Sequence, residues 1–118
     1  MPVDPVALVR RYHAALNCYR AEEIAAMFAG DASYRSPGVG GLEGRDSIIS
    51  AFTAYFAEHP DQHAVDDEIV ALNQHTARAR WRLTATSRST NEPYQRAGIE
   101  TVTFDDAGLI ISVVVEDR

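Results

Sequence analysis

The sequence predicts an α+β domain, with helices first and a mainly antiparallel sheet last. Three observations lead there. Apolar residues recur at helical spacing as far as Pro60, the period switches to two from His63 onward, and the short strings "STNEPY" and "DDAG" separate consecutive strand-like runs. Strands joined by such turns pair antiparallel. With 118 residues, 46% of them hydrophobic and 24% charged, the chain has the size and composition of one globular domain spanning 1–118.

Each element has a local cause. In "DPVALVRRYHAALNCY" Asp4 is placed as an N-cap and Pro5 as the first helical residue, with Val9, Tyr12, His13 and Leu16 following at helical spacing. A second, short helix is expected in "AEEIAAMFAGD", acidic in its first turn and ended by Gly30. "ASYRSPGVGG" reads as a short extended segment breaking into a Gly/Pro loop. "GRDSIISAFTAYFAEHP" sets Ile48, Ile49, Phe52, Tyr55 and Phe56 along one face of a third helix, stopped by Pro60. Four strands are expected in "AVDDEIVALN", "HTARARWRLTATSR", "PYQRAGIETVTF" and "LIISVVVED".

Charge and composition narrow the chemistry. A net charge of −6 argues against a nucleic-acid partner, whose binding draws on basic groups, and favours a small neutral or cationic ligand. All eleven basic residues are Arg, which removes a lysine Schiff base and with it PLP-type catalysis. Cys18 is the single cysteine, so neither an internal disulfide nor a zinc cluster on paired thiolates is expected. No apolar run is long enough for a membrane span and the first residues lack a signal core, so a cytoplasmic protein without cofactor or metal is expected.

The strings "RYHAALNCYRAEEIAAMFAGDASYRSPG", "GLEGRDSIISAF" and "GIETVTFDDAGLI" resemble, over nearly the whole chain, the nuclear transport factor 2-like superfamily, and within it the SnoaL-like and ketosteroid-isomerase-like proteins. The resemblance implies a cone-shaped fold in which three helices and a curved sheet enclose an apolar pocket, with the outer sheet face commonly forming a homodimer. It leaves function open, because the fold hosts isomerases, cyclases, dehydratases, epoxide hydrolases and non-catalytic domains. By similarity to ketosteroid isomerases, Tyr12 and Glu100 would stand where a tyrosine and a strand acid form an oxyanion hole. Ser36 falls where those enzymes carry the base, and a serine hydroxyl takes no proton from carbon near neutral pH unless another base activates it. The implied reading is a small-molecule pocket for an apolar ligand, either a metal-independent isomerase, cyclase or dehydratase working by proton transfer, or a non-catalytic binding or interaction domain. Its expected wall is Ser36, Tyr55, Phe56, Trp81 and Val113.

Several residues admit two readings. Glu100 shares a strand face with Val102 and Phe104, so it either points into the pocket, where lost hydration would raise its pKa, or reaches water or Arg35 at the rim. Tyr12 is a pocket donor or a buried tyrosine bonded to backbone, Trp81 core or pocket wall. Arg78, Arg80 and Arg82 form either a phosphate site or cross-strand pairs with Asp66 or Glu68. His59 and His63 have metal-like spacing but straddle Pro60, and His13 is either a boundary residue or a base at the pocket rim. Val70, Leu72, Ile110 and Val114 are expected on the outer sheet face, where a homodimer would cover them.

Overall fold

The computed structural model describes residues 3–37 and 40–117. Met1, Pro2 and Arg118 of the expected 1–118 domain, and Gly38 and Val39 of the expected Gly/Pro loop, lie outside them. Helix α1 spans Pro5–Asn17, and its N-cap is the expected one, the Asp4 carboxylate accepting from the Ala7 amide at 3.1 Å. Its buried stripe runs through Val9, Tyr12 and His13. Helix α2, Ala21–Ala26, is shorter than expected. Gly30 does not end it but lies within strand β1, Phe28–Ser36, which forms a hairpin with β2, Gly40–Glu43. The helices are therefore not all N-terminal to the sheet: two strands intervene before α3, Arg45–Glu58. The remaining strands are β3 (His63–Ala71), β4 (Thr76–Thr86), β5 (Pro93–Phe104) and β6 (Ile110–Asp117).

These strands form one mixed sheet of order β2-β1-β6-β5-β4-β3. Four of its pairings are antiparallel, as the short turns require; β1 and β6, the first and last strands in sequence, run parallel. One sheet face packs on the helices. Along β5 the alternation is complete, with Gly98, Glu100, Val102 and Phe104 buried and the residues between them half-exposed. Val102 and Phe104 join Val9, Tyr12, Phe28 and Ile110 in the core, while Glu100 starts the polar end of the same stripe.

Two bulges break the expected alternation. In β6, Thr103 pairs with Ser112 and Phe104 with Ile110, so Ile111 is the extra residue. Ile110 is consequently turned into the core, and Ile111 takes the exposed position assigned to it from the sequence; Leu72 and Val114 are exposed as expected. In β3, Asp66 pairs with Trp81 and Glu68 with Arg80, which leaves Asp67 as the extra residue and puts Asp66 and Glu68 on opposite faces.

Gly98 is crowded by both neighbouring strands of the sheet. A Cβ there would lie 2.5 Å from the Glu116 carbonyl oxygen and 2.7 Å from Trp81 Cζ2, so the indole can lie flat across β5 only because this position lacks a side chain. Gly98→Ala is expected to cost about 1–3 kcal/mol through overpacking and to displace Trp81. Urea unfolding together with the fluorescence of this single tryptophan checks both.

Candidate functional site

Helix α1, helix α3 and the inner sheet face close around a cavity of about 110 Å³. Phe52 and Phe56 of α3, Leu42 of β2, Leu83 of β4 and Val115 of β6 supply an apolar lining, and the polar groups are confined to a few points: His13, Glu100, Ser36, Tyr34, Tyr55, Gln62 and Arg96.

His13 lies between two carboxylates. Its Nε2 is 2.6 Å from Glu100 Oε1, and its Nδ1 is 2.8 and 2.9 Å from the two oxygens of Asp66. All three side chains are largely covered, at 10%, 8% and 21% exposure for His13, Glu100 and Asp66. Burial alone would push the imidazole towards its neutral form; the Glu100 charge and the hydrogen bonds that both carboxylates accept outweigh that and hold its pKa up at about 10. His13 is thus an imidazolium at neutral pH, donating one N–H to each acid. No hydrogen bond among the described residues reaches Glu100 Oε2.

Local structure explains the placement. The bulge at Asp67 turns Asp66 inward beside Trp81. One helical turn beyond His13, the Asn17 side chain donates to the Ala64 carbonyl and accepts from the Ala64 amide, both at 2.9 Å. Positions 13 and 17 share a helix face and positions 64 and 66 a strand face, so this clamp sets His13 opposite Asp66. The displaced Asp67 forms a bidentate pair with Arg82 on the outside, at 2.8–3.0 Å. The cross-strand reading of the arginine stripe therefore describes Arg82, with Asp67 in place of Asp66.

Of the residues expected at the pocket, Glu100, Ser36, Tyr55, Phe56 and Trp81 line it. Val113 is packed in the core, and Val115, two residues on and on the same face, lines the cavity. Tyr12 is buried beneath the site against Phe28 and Phe52, its hydroxyl without a hydrogen-bond partner and its pKa raised by burial and then by the Glu100 charge. It is not bonded to Glu100; the neighbour expected at the rim, His13, is. The carboxyl expected to face an apolar pocket beside Tyr12, or to reach water or Arg35 at the rim, has a buried cation beside it instead. His59 stacks between Tyr55 and Tyr94, at 4.5 and 4.3 Å, while His63 is exposed, and among the described residues no group of three or more His, Cys, Asp and Glu is arranged around a common metal position.

The SnoaL-like domain family matches residues 9–113. The chain belongs to that family. The SnoaL-like fold is shared with solved structures of low identity: an NTF2-like protein of unknown function from Exiguobacterium sp. 255-15 (TM-score 0.84, 14% identity, covering 94% of this chain and 98% of that one), the epoxide hydrolase/cyclase-like enzyme SalBIII of salinomycin pyran ring formation (0.84, 16%, 95% and 88%), and Rv0760c from Mycobacterium tuberculosis in complex with estradiol-17beta-hemisuccinate (0.80, 14%, 92% and 89%). No curated protein sequence matches. In this SnoaL-like domain Asp66 and His13 are the site residues that sequence reasoning left at the margin, and the one local signal for Asp66 was the run "VDDEIV", which breaks period-two alternation where the bulge lies.

The imidazolium ties stability to pH. Because the folded pKa of about 10 lies above the ordinary imidazole value of 6.5, His13 stabilises the fold fully below pH 6.5, and that contribution is lost as pH rises through 10, by about 1.4 kcal/mol per pH unit between the two. His13→Gln should flatten this slope and, by leaving two buried carboxylates unpaired, cost about 3–5 kcal/mol at pH 7. Glu100→Gln should also lower stability at neutral pH, since it withdraws one acid from the imidazolium. Urea unfolding curves from pH 6 to 10 for the three proteins test the assignment, and an unchanged slope in His13→Gln would refute it.

Proposed function

We propose that this SnoaL-like domain is a small-molecule enzyme that moves a proton on an apolar substrate without a metal, as an isomerase, cyclase or dehydratase does. The observation that carries this reading is the 2.6 Å contact between His13 Nε2 and Glu100 Oε1 in the wall of an apolar cavity. Glu100 accepts the substrate proton on Oε2, the oxygen left without a protein partner, and returns it at a second position. His13 keeps its proton and stays charged, so the Asp66–His13 pair fixes the Glu100 carboxylate and offsets its charge while the negative charge passes to the substrate. Glu100 also answers the difficulty at Ser36, since a base is present on β5 rather than on β1. Support from relatives is by analogy alone: SalBIII is described as epoxide hydrolase/cyclase-like and Rv0760c holds a steroid ester.

A second reading, a ligand-binding domain without turnover, is favoured by Ser36 at the position where ketosteroid isomerases carry their base. The two readings separate in one experiment. Proton–deuterium exchange into enolisable ketones, followed by NMR, should be catalysed by the wild-type protein and fall by about 10²–10⁴-fold in Glu100→Gln, with ligand still bound. Saturable binding with no exchange above background across the panel would select the binding domain.

The assembly we propose is a homodimer through the outer sheet face, supported by exposed Val65, Leu72, Ile111 and Val114 there. The setting we propose is cytoplasmic, which suits the free Cys18; no helix among the described residues is long and apolar enough to cross a membrane. Sedimentation equilibrium at micromolar concentration should give twice the chain mass, and Val114→Arg should halve it.

A further inference from the structure

The cavity carries information about its ligand beyond the acid–base pair. An apolar cavity of about 150 Å³ holds one benzene ring, and the space here is about 110 Å³. That is the scale of one ring, and four fused rings would have to extend beyond it. Nor is the polar lining balanced between donors and acceptors. Trp81 Nε1 and the Tyr55 hydroxyl are buried without a hydrogen-bond partner; Tyr94 and Arg96 approach the hydroxyl without closing a bond of proper geometry. Burial raises the Tyr55 pKa and that of the cavity-lining Tyr34, so both stay protonated and can donate. Arg96 joins this end of the cavity, its guanidinium 5.4 Å from the Trp81 ring centroid. A buried donor left unpaired is costly, and a ligand that brings an acceptor recovers that cost.

Arg96 is already neutralised by Asp117 at 2.6 Å, and the chain carries −6 overall, so the donor cluster is not a site for an anion. Trp81 pairs across the sheet with Gly98, two residues from Glu100 on the same face, which separates the two side chains at their Cβ atoms by about 7 Å. Both side chains border the same cavity.

We propose that the pocket selects a neutral, single-ring compound bearing a carbonyl or comparable acceptor oxygen, which the Trp81 and Tyr55 donors hold while the ring's acidic C–H or O–H side faces Glu100. This rests on the acid–base reading for the Glu100 end alone; recognition of the oxygen stands without it.

The test compares acetophenone, ethylbenzene and estradiol by calorimetry on the full chain. Acetophenone should bind about tenfold or more tightly than ethylbenzene, which has similar shape and no acceptor, and estradiol should bind more weakly than acetophenone. Tyr55→Phe and Trp81→Phe should each bring the acetophenone-to-ethylbenzene ratio towards one, the ratio being the readout because either change also alters the apolar wall. Should Trp81→Phe fail to fold, Tyr55→Phe, on the helix side of the cavity, decides alone. Equal affinity for the ketone and the hydrocarbon, or tighter binding of estradiol, overturns the proposal. Exchange of the acetophenone methyl protons in D2O is read separately. Oxygen-dependent binding without exchange removes the enzymatic reading and keeps this one, whereas exchange into a polycyclic ketone by a protein that does not hold acetophenone does the reverse.

Discussion

A protonated imidazole held between two acids under cover of the sheet is the constraint on which the rest of the site depends. Taking such groups out of water is expensive, and each charge is tolerable only while its partners are in place. The fold meets this with three separate devices: a bulge that turns Asp66 inward, the Asn17 amide that fixes α1 against β3, and an uninterrupted alternation in β5 that points Glu100 at the cavity. The first two add nothing to the apolar core, whereas the third also points Val102 and Phe104 into it. Their common effect is to give a cavity with apolar walls one carboxylate whose orientation is set and whose second oxygen is unengaged.

The arrangement also grades the inner sheet face. Along β5 the buried side runs from Arg96 past Gly98 and Glu100 to Val102 and Phe104. At the apolar end these residues pack against α1 and close the floor. At the polar end the side chains are too long and too hydrophilic to interlock, and Gly98 leaves a gap that the Trp81 indole roofs. The cavity is thus a consequence of composition along one strand, and ligand-facing groups occupy the part of the stripe where close packing fails.

How much of this was legible follows from the range of each interaction. The cap at Asp4, the limits of β5 and the meander of the last four strands depend on neighbours in sequence, and local pattern carried them. Gly30 misled because a glycine after a short helix resembles a terminator, whereas pairing of β1 with β2 and β6 decided its conformation. Ile110 was put on the wrong face because an alternation rule cannot see a bulge, and a bulge shifts every residue on one side of it. The pocket set from Ser36 to Trp81 was within reach because its positions follow from element and face; its electrostatic centre was not. His13 acquires its role from Asp66 and Glu100, 53 and 87 residues away, and nothing in "RYHAALN" marks which of two adjacent polar rings will turn to meet them.

That last ambiguity has a geometric resolution. Tyr12 and His13 lie about 100° apart around α1, so a rotation of the helix by that amount would exchange which ring faces Glu100. Similarity to ketosteroid isomerases assigns the contact to the tyrosine. Here the Asn17–Ala64 clamp and the His13–Asp66 bonds lock the helix with the histidine presented, and Tyr12 is left against Phe28 and Phe52 with its hydroxyl unpaired. An orphaned buried hydroxyl costs about 1–3 kcal/mol, which the two short bonds of His13 offset by satisfying three buried groups at once. The bulge that turns Asp66 inward thus gives His13 its second acid, so that a cation rather than a neutral phenol meets the Glu100 carboxylate.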